Sequence, residues 1–138
     1  MIPRLSHALL RARETMMERY RSALTGHGLT EPQWRVLRAL SEAGTLDATR
    51  LSERSGVAPP SLSRMLQTLE ARGLITVSRD PGDARRARLA LTAAGDETVD
   101  TVAPDIARSE AAILDAFGTE RTRALALALE DMAQALDG

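Results

Sequence analysis

Arginine is concentrated in one short stretch of the chain that also carries aspartate. The residues concerned are Arg79, Asp80, Asp83, Arg85, Arg86 and Arg88. At the end of a β-ribbon, a guanidinium group can enter the narrow, electronegative minor groove of DNA while its neighbours contact phosphates. The Asp83 carboxylate can accept a bidentate hydrogen bond from Arg85 and hold that side chain extended. The alternative is a solvated turn with ion pairs worth under about 1 kcal/mol each. We interpret the stretch as a DNA-contacting element because it holds four arginines within ten residues.

Polar side chains also line the start of a predicted helix from Pro60 to Arg72. Ser61, Ser63 and Arg64 fall in its first turn, where a helix lying in the major groove reaches base edges. Serine hydroxyls can bond several bases or phosphates, and a guanidinium group can form two bonds to guanine. Pro59 and Pro60 could lie against a thymine methyl group. The alternative is an amphipathic core helix with a solvated polar side.

A third set of residues could bind a small ligand. Arginine is suited to clamp a carboxylate, and methionine with tryptophan can line an apolar slot. The alternative is that Trp34 belongs to the core, and that Arg11 and Arg13 are solvated or paired with Glu14 or Glu18. The candidate residues are His7, Arg11, Arg13, Met16, Met17 and Trp34.

Composition excludes several other classes of function. The chain has no cysteine, which rules out disulfides, thiolate metal sites and thiol nucleophiles. Two histidines make a protein-only zinc site improbable, and no Ser-His-acid arrangement or phosphate loop is present. We therefore expect no cofactor, no metal and no enzymatic activity. The apolar stretches are too short to cross a bilayer, and a signal-peptide core is lacking, so we expect a cytoplasmic protein.

Apolar residues recur at helical spacing in six segments of the chain. Thr30 and Gln33 have the spacing of a capping box, and Thr92 is a further N-cap candidate. Pro104 falls inside the fifth helix and is expected to kink it or split it in two. The predicted helices run over 4–25, from Thr30 to Gly44, from Asp47 to the turn at Ser55, from Pro60 to Arg72, from Thr92 to about Phe117, and after Gly118.

Two segments between the fourth and fifth helices have the pattern of strands. They are residues 74–79 and 86–91, joined by the turn sequence Asp80-Pro81-Gly82-Asp83. A helix, a turn containing glycine and a second helix, followed by a hairpin, form a winged helix-turn-helix. The fold predicted for this 138-residue chain is mainly α with a small β-hairpin, because aromatic residues make up only 2% of it.

Charge is distributed unevenly although the net charge is -1. Residues 50–88 carry eight arginines and four acids, a balance of +4, whereas residues 89–138 carry three arginines and ten acids, a balance of -7. Such a division suggests two faces with different partners. The outer helices are rich in alanine and leucine and have too little of their own chain to cover them, which points to a homodimer.

These motifs together resemble the multiple antibiotic resistance regulator (MarR) family of bacterial transcription factors. The segment from His27 to Arg38, with Ala12-Arg13-Glu14, resembles the branch that regulates homoprotocatechuate (4-hydroxyphenylacetate) degradation operons. The motifs are Leu29-Thr30-x-x-Gln33-Trp34-x-Val36-Leu37, Leu69-Glu70-x-x-Gly73-Leu74-Ile75, Asp80-x-x-Asp83-x-Arg85-Arg86 and Leu91-Thr92-x-x-Gly95.

The resemblance implies one domain over 1–138, with a DNA-binding lobe at 30–92 and helical dimerisation segments at 1–29 and 93–138. It implies a homodimer that binds double-stranded DNA at a pseudopalindromic operator and represses an aromatic-compound catabolic operon. A small phenolic or aromatic acid would bind between the dimerisation helices and the DNA-binding lobe and release the repressor. Two alternatives remain open: a winged-helix module that binds an acidic protein, and a DNA-binding regulator without a ligand.

Overall fold

In the computed structural model, residues 4–138 are described, except for the side chains of Asp80, Ala84 and Arg85. These residues form six helices and a small antiparallel sheet, as the hydrophobic periodicity predicts. The elements are α1 (Leu5–Thr25), α2 (Glu31–Ala43), β1 (Thr45–Leu46), α3 (Ala48–Ser55), α4 (Pro59–Ala71), β2 (Ile75–Asp80), β3 (Asp83–Leu91), α5 (Ala93–Phe117) and α6 (Thr119–Asp137).

Side-chain N-caps set the starts of three helices, and those at Thr30 and Thr92 were predicted. The Thr30 hydroxyl accepts a hydrogen bond from the Gln33 N–H, and the Gln33 side chain accepts one from the Thr30 N–H, which completes the capping box. Asp47 accepts from the Arg50 N–H at 2.8 Å, and Thr92 accepts from the Gly95 N–H at 3.0 Å. Each cap satisfies a backbone donor that the helix itself leaves without a partner, which is worth about 1 kcal/mol.

Helices α3 and α4 form the predicted helix-turn-helix, and α2 holds the turn between them. Gly56 has a φ of 70°, a left-handed conformation that favours glycine. The Arg35 guanidinium donates to the Ser55 carbonyl oxygen at 2.8 Å and also pairs with Glu31. Leu51 and Leu62 are completely or almost completely buried beneath the turn. The relative placement of the two helices is therefore fixed by both apolar burial and a charge-assisted hydrogen bond.

The sheet is larger than predicted. Its strand order is β1-β3-β2, with Thr45 opposite Ala90 and Ile75 opposite Leu91. The sequence did not reveal β1, because a two-residue strand has no measurable alternation. The predicted start of the second strand at residue 86 was wrong: β3 begins at Asp83, which pairs with Asp80, so the turn is shorter than expected.

Helix α5 is continuous through Pro104, so of the two predicted outcomes, a kink or a split, the split does not occur. Proline removes one hydrogen bond from the helix interior. The loss is offset here because Val102 and Ile106, on either side of Pro104, are buried against the rest of the chain. Pro104 itself faces solvent.

The hydrophobic core is centred on α2, which contacts α1, α3, β1, β3 and α5. By contrast, α6 contacts α5 and contributes no buried residue. None of the helices in the described part of the chain combines the length and hydropathy that a bilayer crossing requires. Large apolar side chains are left exposed on the outer helices: Leu5, Leu10, Met16, Phe117, Leu125, Leu127 and Leu136.

Gly95 marks the closest approach between α5 and the start of the hairpin. A Cβ atom at this position would overlap the backbone carbonyl oxygen of Leu74. We predict that Gly95→Ala lowers the free energy of unfolding by about 2–4 kcal/mol, because backbone must move to make room. The matched control is Gly26→Ala, since a Cβ atom at Gly26 meets nothing within 4 Å. Chemical denaturation of both variants measures the difference, and equal stabilities would contradict the prediction.

Candidate nucleic-acid interface

The first turn of α4 presents a polar surface to solvent. Pro59, Pro60, Ser61, Ser63 and Arg64 are all exposed, whereas Leu62 and Leu69 anchor the opposite face in the core. The N-cap residue of α4 makes no side-chain cap, and prolines fill the first positions, where their missing N–H groups remove the need for one. The predicted recognition residues therefore lie together on the exposed side of a firmly packed helix.

The wing, defined as β2, β3 and the turn between them, distributes its basic side chains over both faces. Arg86 and Arg88 are two residues apart on β3 and share one face, whereas Arg79 pairs with Ala87 on the other. All three side chains are exposed, as is that of Asp83. The side chain of Arg85 lies outside the described part of the structure, so its proposed contact with Asp83 stays a prediction.

A basic hollow between α3 and the wing was missed by the sequence reasoning. It has a volume of about 420 Å³, and its charged lining residues are Arg50, Arg54 and Arg86 with Asp47 and Glu53, a balance of +1. Arg86 Nε lies 3.8 Å from the Asp47 carboxylate. The spacing of Arg50 and Arg54, four residues apart on one helix, was the available signal. Guanidinium groups at this position, beside α4, are suited to contact phosphates.

A second hollow of about 260 Å³ lies between α2 and α5, and we call it the α2–α5 slot. Trp34 forms part of its wall, and the small side chains of Ala103 and Ala107 leave the space open. Arg38 is at its edge: Nε lies 3.2 Å from the Glu42 carboxylate and Nη1 lies 3.4 Å from the Glu110 carboxylate. An aromatic wall beside a guanidinium group is a suitable site for a small aromatic ligand.

The other predicted ligand residues are not at this slot. His7, Arg11, Arg13 and Met16 are exposed on α1 and Met17 is half-buried there, and Arg13 and Met17 line a separate hollow of about 410 Å³. Within one chain, the structure thus brings Trp34 together with Arg38 rather than with the α1 residues. The sequence reasoning missed Arg38, because a single arginine on an amphipathic helix usually belongs to the solvated face. Its position one turn after Trp34 was the only signal in the sequence.

A cleft of about 770 Å³, lined mostly by polar side chains, lies beside the contact between α1 and α5. His27, in the connection that follows α1, contacts the Asp105 carboxylate through Nε2 at 2.7 Å. Arg108 also pairs with Asp105. These contacts fasten the end of α1 to α5, and Arg72 adds a bond from the end of α4 to the Gly28 carbonyl oxygen at 3.0 Å. The connection between α1 and α2 is therefore held from two directions.

Tyr20, on α1, provides an electrostatic probe near the slot. Burial raises the pKa of its hydroxyl above the usual value of 10.0, the Glu110 carboxylate raises it further, and Arg38 opposes this effect. A raised pKa means that the folded state holds this proton more tightly than the unfolded state. The stabilisation is complete below pH 10.0 and is lost as the pH rises through the folded-state pKa.

We predict that the phenolate absorbance of Tyr20 develops with a midpoint above 10.0, and that Glu110→Gln lowers this midpoint. The measurement is unambiguous because the chain contains one tyrosine, no lysine and no cysteine. Glu97→Gln removes an exposed carboxylate elsewhere on α5 and serves as the control. A midpoint that is the same in the wild-type and Glu110→Gln proteins would contradict the assigned proximity.

The fold and the basic, serine-lined surface define a winged helix-turn-helix protein of the DNA-binding class. Comparisons with known proteins agree. The MarR family model matches residues 29–87. The homoprotocatechuate degradative operon repressor of Escherichia coli is 32% identical over 127 residues, covering 92% of this chain and 86% of the repressor.

Solved structures give the same result. NadR in complex with 4-hydroxyphenylacetate is 33% identical, with a TM-score of 0.78 and coverage of 91% of this chain and 89% of NadR. The transcriptional repressor CouR, bound to a 23-mer DNA duplex, is 29% identical, with a TM-score of 0.86 and coverage of 96% of this chain and 97% of CouR. The chain belongs to the MarR family of DNA-binding transcriptional regulators, which confirms the resemblance and the expectation that it is not an enzyme.

Proposed function

We propose that this protein is a cytoplasmic, homodimeric repressor of an aromatic-compound catabolic operon, and that a small phenolic or aromatic acid releases it from DNA. The observation that carries the proposal is the placement of two sites on one small body. An exposed, serine-lined α4 lies beside an arginine-rich wing and would contact DNA, and a slot with an aromatic wall and a guanidinium edge lies where α2 meets α5. The slot is therefore positioned to influence the DNA-contacting surface.

Dimerisation is supported by the apolar side chains that one chain leaves uncovered. Leu125 and Leu127 on α6 are 45% and 61% exposed, and Leu10 on α1 is 57% exposed. Exposed apolar surface of this kind typically marks an interface, and a two-fold dimer is the commonest arrangement. In this proposal residues 1–29 and 93–138 form the dimerisation region and residues 30–92 form the DNA-binding lobe.

A two-fold dimer presents two copies of α4 to one duplex. Each α4 would lie in a major groove, with the two copies about 34 Å apart, one turn of DNA. Ser61, Ser63 and Arg64 would read base edges and Arg85 would enter the flanking minor groove. Arg50 and Arg54 would contact phosphates at the edge of each site. A pseudopalindromic operator follows from the symmetry of the protein.

The DNA interface is tested by removing single guanidinium groups. We predict that Arg85→Ala and Arg64→Ala each weaken binding to a duplex selected in vitro for affinity by about 1–3 kcal/mol per site, with a shallower salt dependence for Arg85→Ala. Arg123→Ala, which removes the same charge from exposed α6, is the control. Fluorescence anisotropy over a salt series measures affinity, and sedimentation measures whether two chains bind each duplex.

Equal losses in all three variants would indicate that net charge alone drives binding and would contradict the assigned interface. Binding of a single chain to DNA would contradict the proposed dimer.

An aromatic effector is supported by the slot and by two relatives, one a repressor of homoprotocatechuate degradation and one solved in complex with 4-hydroxyphenylacetate. The slot is small, so it suits a single-ring compound better than a drug-sized one. The predicted α1 residues would contact the ligand only if α1 of the second chain in the dimer lies at the slot. They are His7, Arg11, Arg13 and Met16. The ligand would favour a dimer in which the two copies of α4 have a different spacing.

The effector site is tested by filling the slot. We predict that Ala107→Leu abolishes release of DNA by 4-hydroxyphenylacetate, because the larger side chain occupies the space that the ring needs. DNA affinity without ligand should change by less than about twofold, since Ala107 is exposed and distant from α4 and the wing. Ala94→Leu, at an exposed position near the start of the same helix, is the control. Unimpaired release in Ala107→Leu would show that the ligand binds elsewhere.

A further inference from the structure

The guanidinium group at the edge of the α2–α5 slot already has two carboxylate partners. Arg38 Nη1 lies 3.4 Å from the Glu110 carboxylate, and Arg38 Nε lies 3.2 Å from the Glu42 carboxylate. Glu42 is on the same helix as Arg38, four residues on, whereas Glu110 is on α5. One of these contacts stays within a helix, and the other joins α2 to α5.

This arrangement opposes the entry of an acid. Arg38, Glu42 and Glu110 together carry one negative charge, so the slot offers a ligand carboxylate no net attraction. A carboxylate binds arginine best through two parallel N–H bonds. Glu42 takes the side of the guanidinium that carries Nε, and Glu110 takes Nη1 at the end of the group. An incoming acid can form two bonds at this end only after Glu110 has moved away.

Glu110 can make this movement at low cost. Its side chain is 42% exposed and that of Arg38 is 50% exposed, so water can replace the lost contact. A more deeply buried pair would resist separation because each charge would lose its partner without regaining hydration. The exposure of Glu110 thus allows one carboxylate to replace another on Arg38.

We propose that Glu110 is a specificity-determining residue of the α2–α5 slot: its carboxylate competes with a ligand's carboxylate for Arg38, and an aromatic acid binds by replacing it. The inference rests on the proposed effector function and adds a consequence to it. Replacement breaks the Arg38–Glu110 contact between α2 and α5. An acid therefore weakens the link between the DNA-binding lobe and a dimerisation helix, whereas an uncharged analogue of the same shape leaves it intact.

The test compares acids with their amides in the wild-type protein and Glu110→Gln. The probes are 4-hydroxyphenylacetate with 4-hydroxyphenylacetamide, and phenylacetate with phenylacetamide, which lack only the ring hydroxyl. Glutamine keeps the size of the side chain and removes the charge. We expect Glu110→Gln to bind each acid about fivefold to tenfold more tightly, while affinity for the amides changes by less than about twofold. Glu97→Gln, which makes the same charge change elsewhere on α5, should leave the acid-to-amide ratio at its wild-type value.

Calorimetric titration of the full-length proteins provides the affinities. An unchanged acid-to-amide ratio in Glu110→Gln, in a protein that binds both kinds of compound, would overturn the role of Glu110 and leave the effector proposal standing. An equal increase in Glu97→Gln would also overturn it, because the effect would then come from net charge. Failure of the wild-type and Glu110→Gln proteins to bind any of the four compounds would overturn the effector proposal and this inference together.

Discussion

Burial of one face of α2 is the constraint on which the rest of the molecule depends. Val36 and Leu37 are fully buried and Leu40 almost so, and the helix contacts elements from both ends of the chain. Its other side chains then acquire fixed neighbours: Arg35 reaches the turn of the helix-turn-helix, and Arg38 reaches α5. Interiors of this density transmit a displacement instead of absorbing it. A change in the position of α2 therefore reaches both the helix-turn-helix and the outer helices α1 and α5.

Charge is segregated along the same architecture. The basic segment at 50–88 contains α3, α4 and the wing, and most of the acidic surplus belongs to α5 and α6. A polyanion is attracted to the first region and repelled by the second, which orients the protein on a duplex without further contacts. The near-zero net charge conceals this division. Composition alone would have argued against a nucleic-acid partner, whereas the order of the charges along the chain argued for one.

Structural features that depend on residues close together in the sequence could be predicted, whereas features that depend on packing between distant segments could not. The caps at Thr30 and Thr92 depend on residues three positions away, so the sequence was sufficient for them. Strand β1 exists because β3 lies beside it, and Pro104 is tolerated because buried residues on both sides hold α5. The slot combines residues from α2 and α5 that are far apart in sequence, so the tryptophan could be suspected but its guanidinium partner could not be identified.

Placing the slot where α2 meets α5 also limits what a ligand can do. A ligand changes DNA affinity only to the extent that it binds one arrangement of the two helices better than the other. In the proposed mechanism, shape alone would give little discrimination, because the small side chains of Ala103 and Ala107 leave that wall of the slot open. The Arg38–Glu110 contact would discriminate between arrangements, because it joins α2 to α5 and requires the two helices to stay close. A ligand that acts on this ion pair thus has a physical means of coupling to DNA, and a ligand that only fills the slot has less.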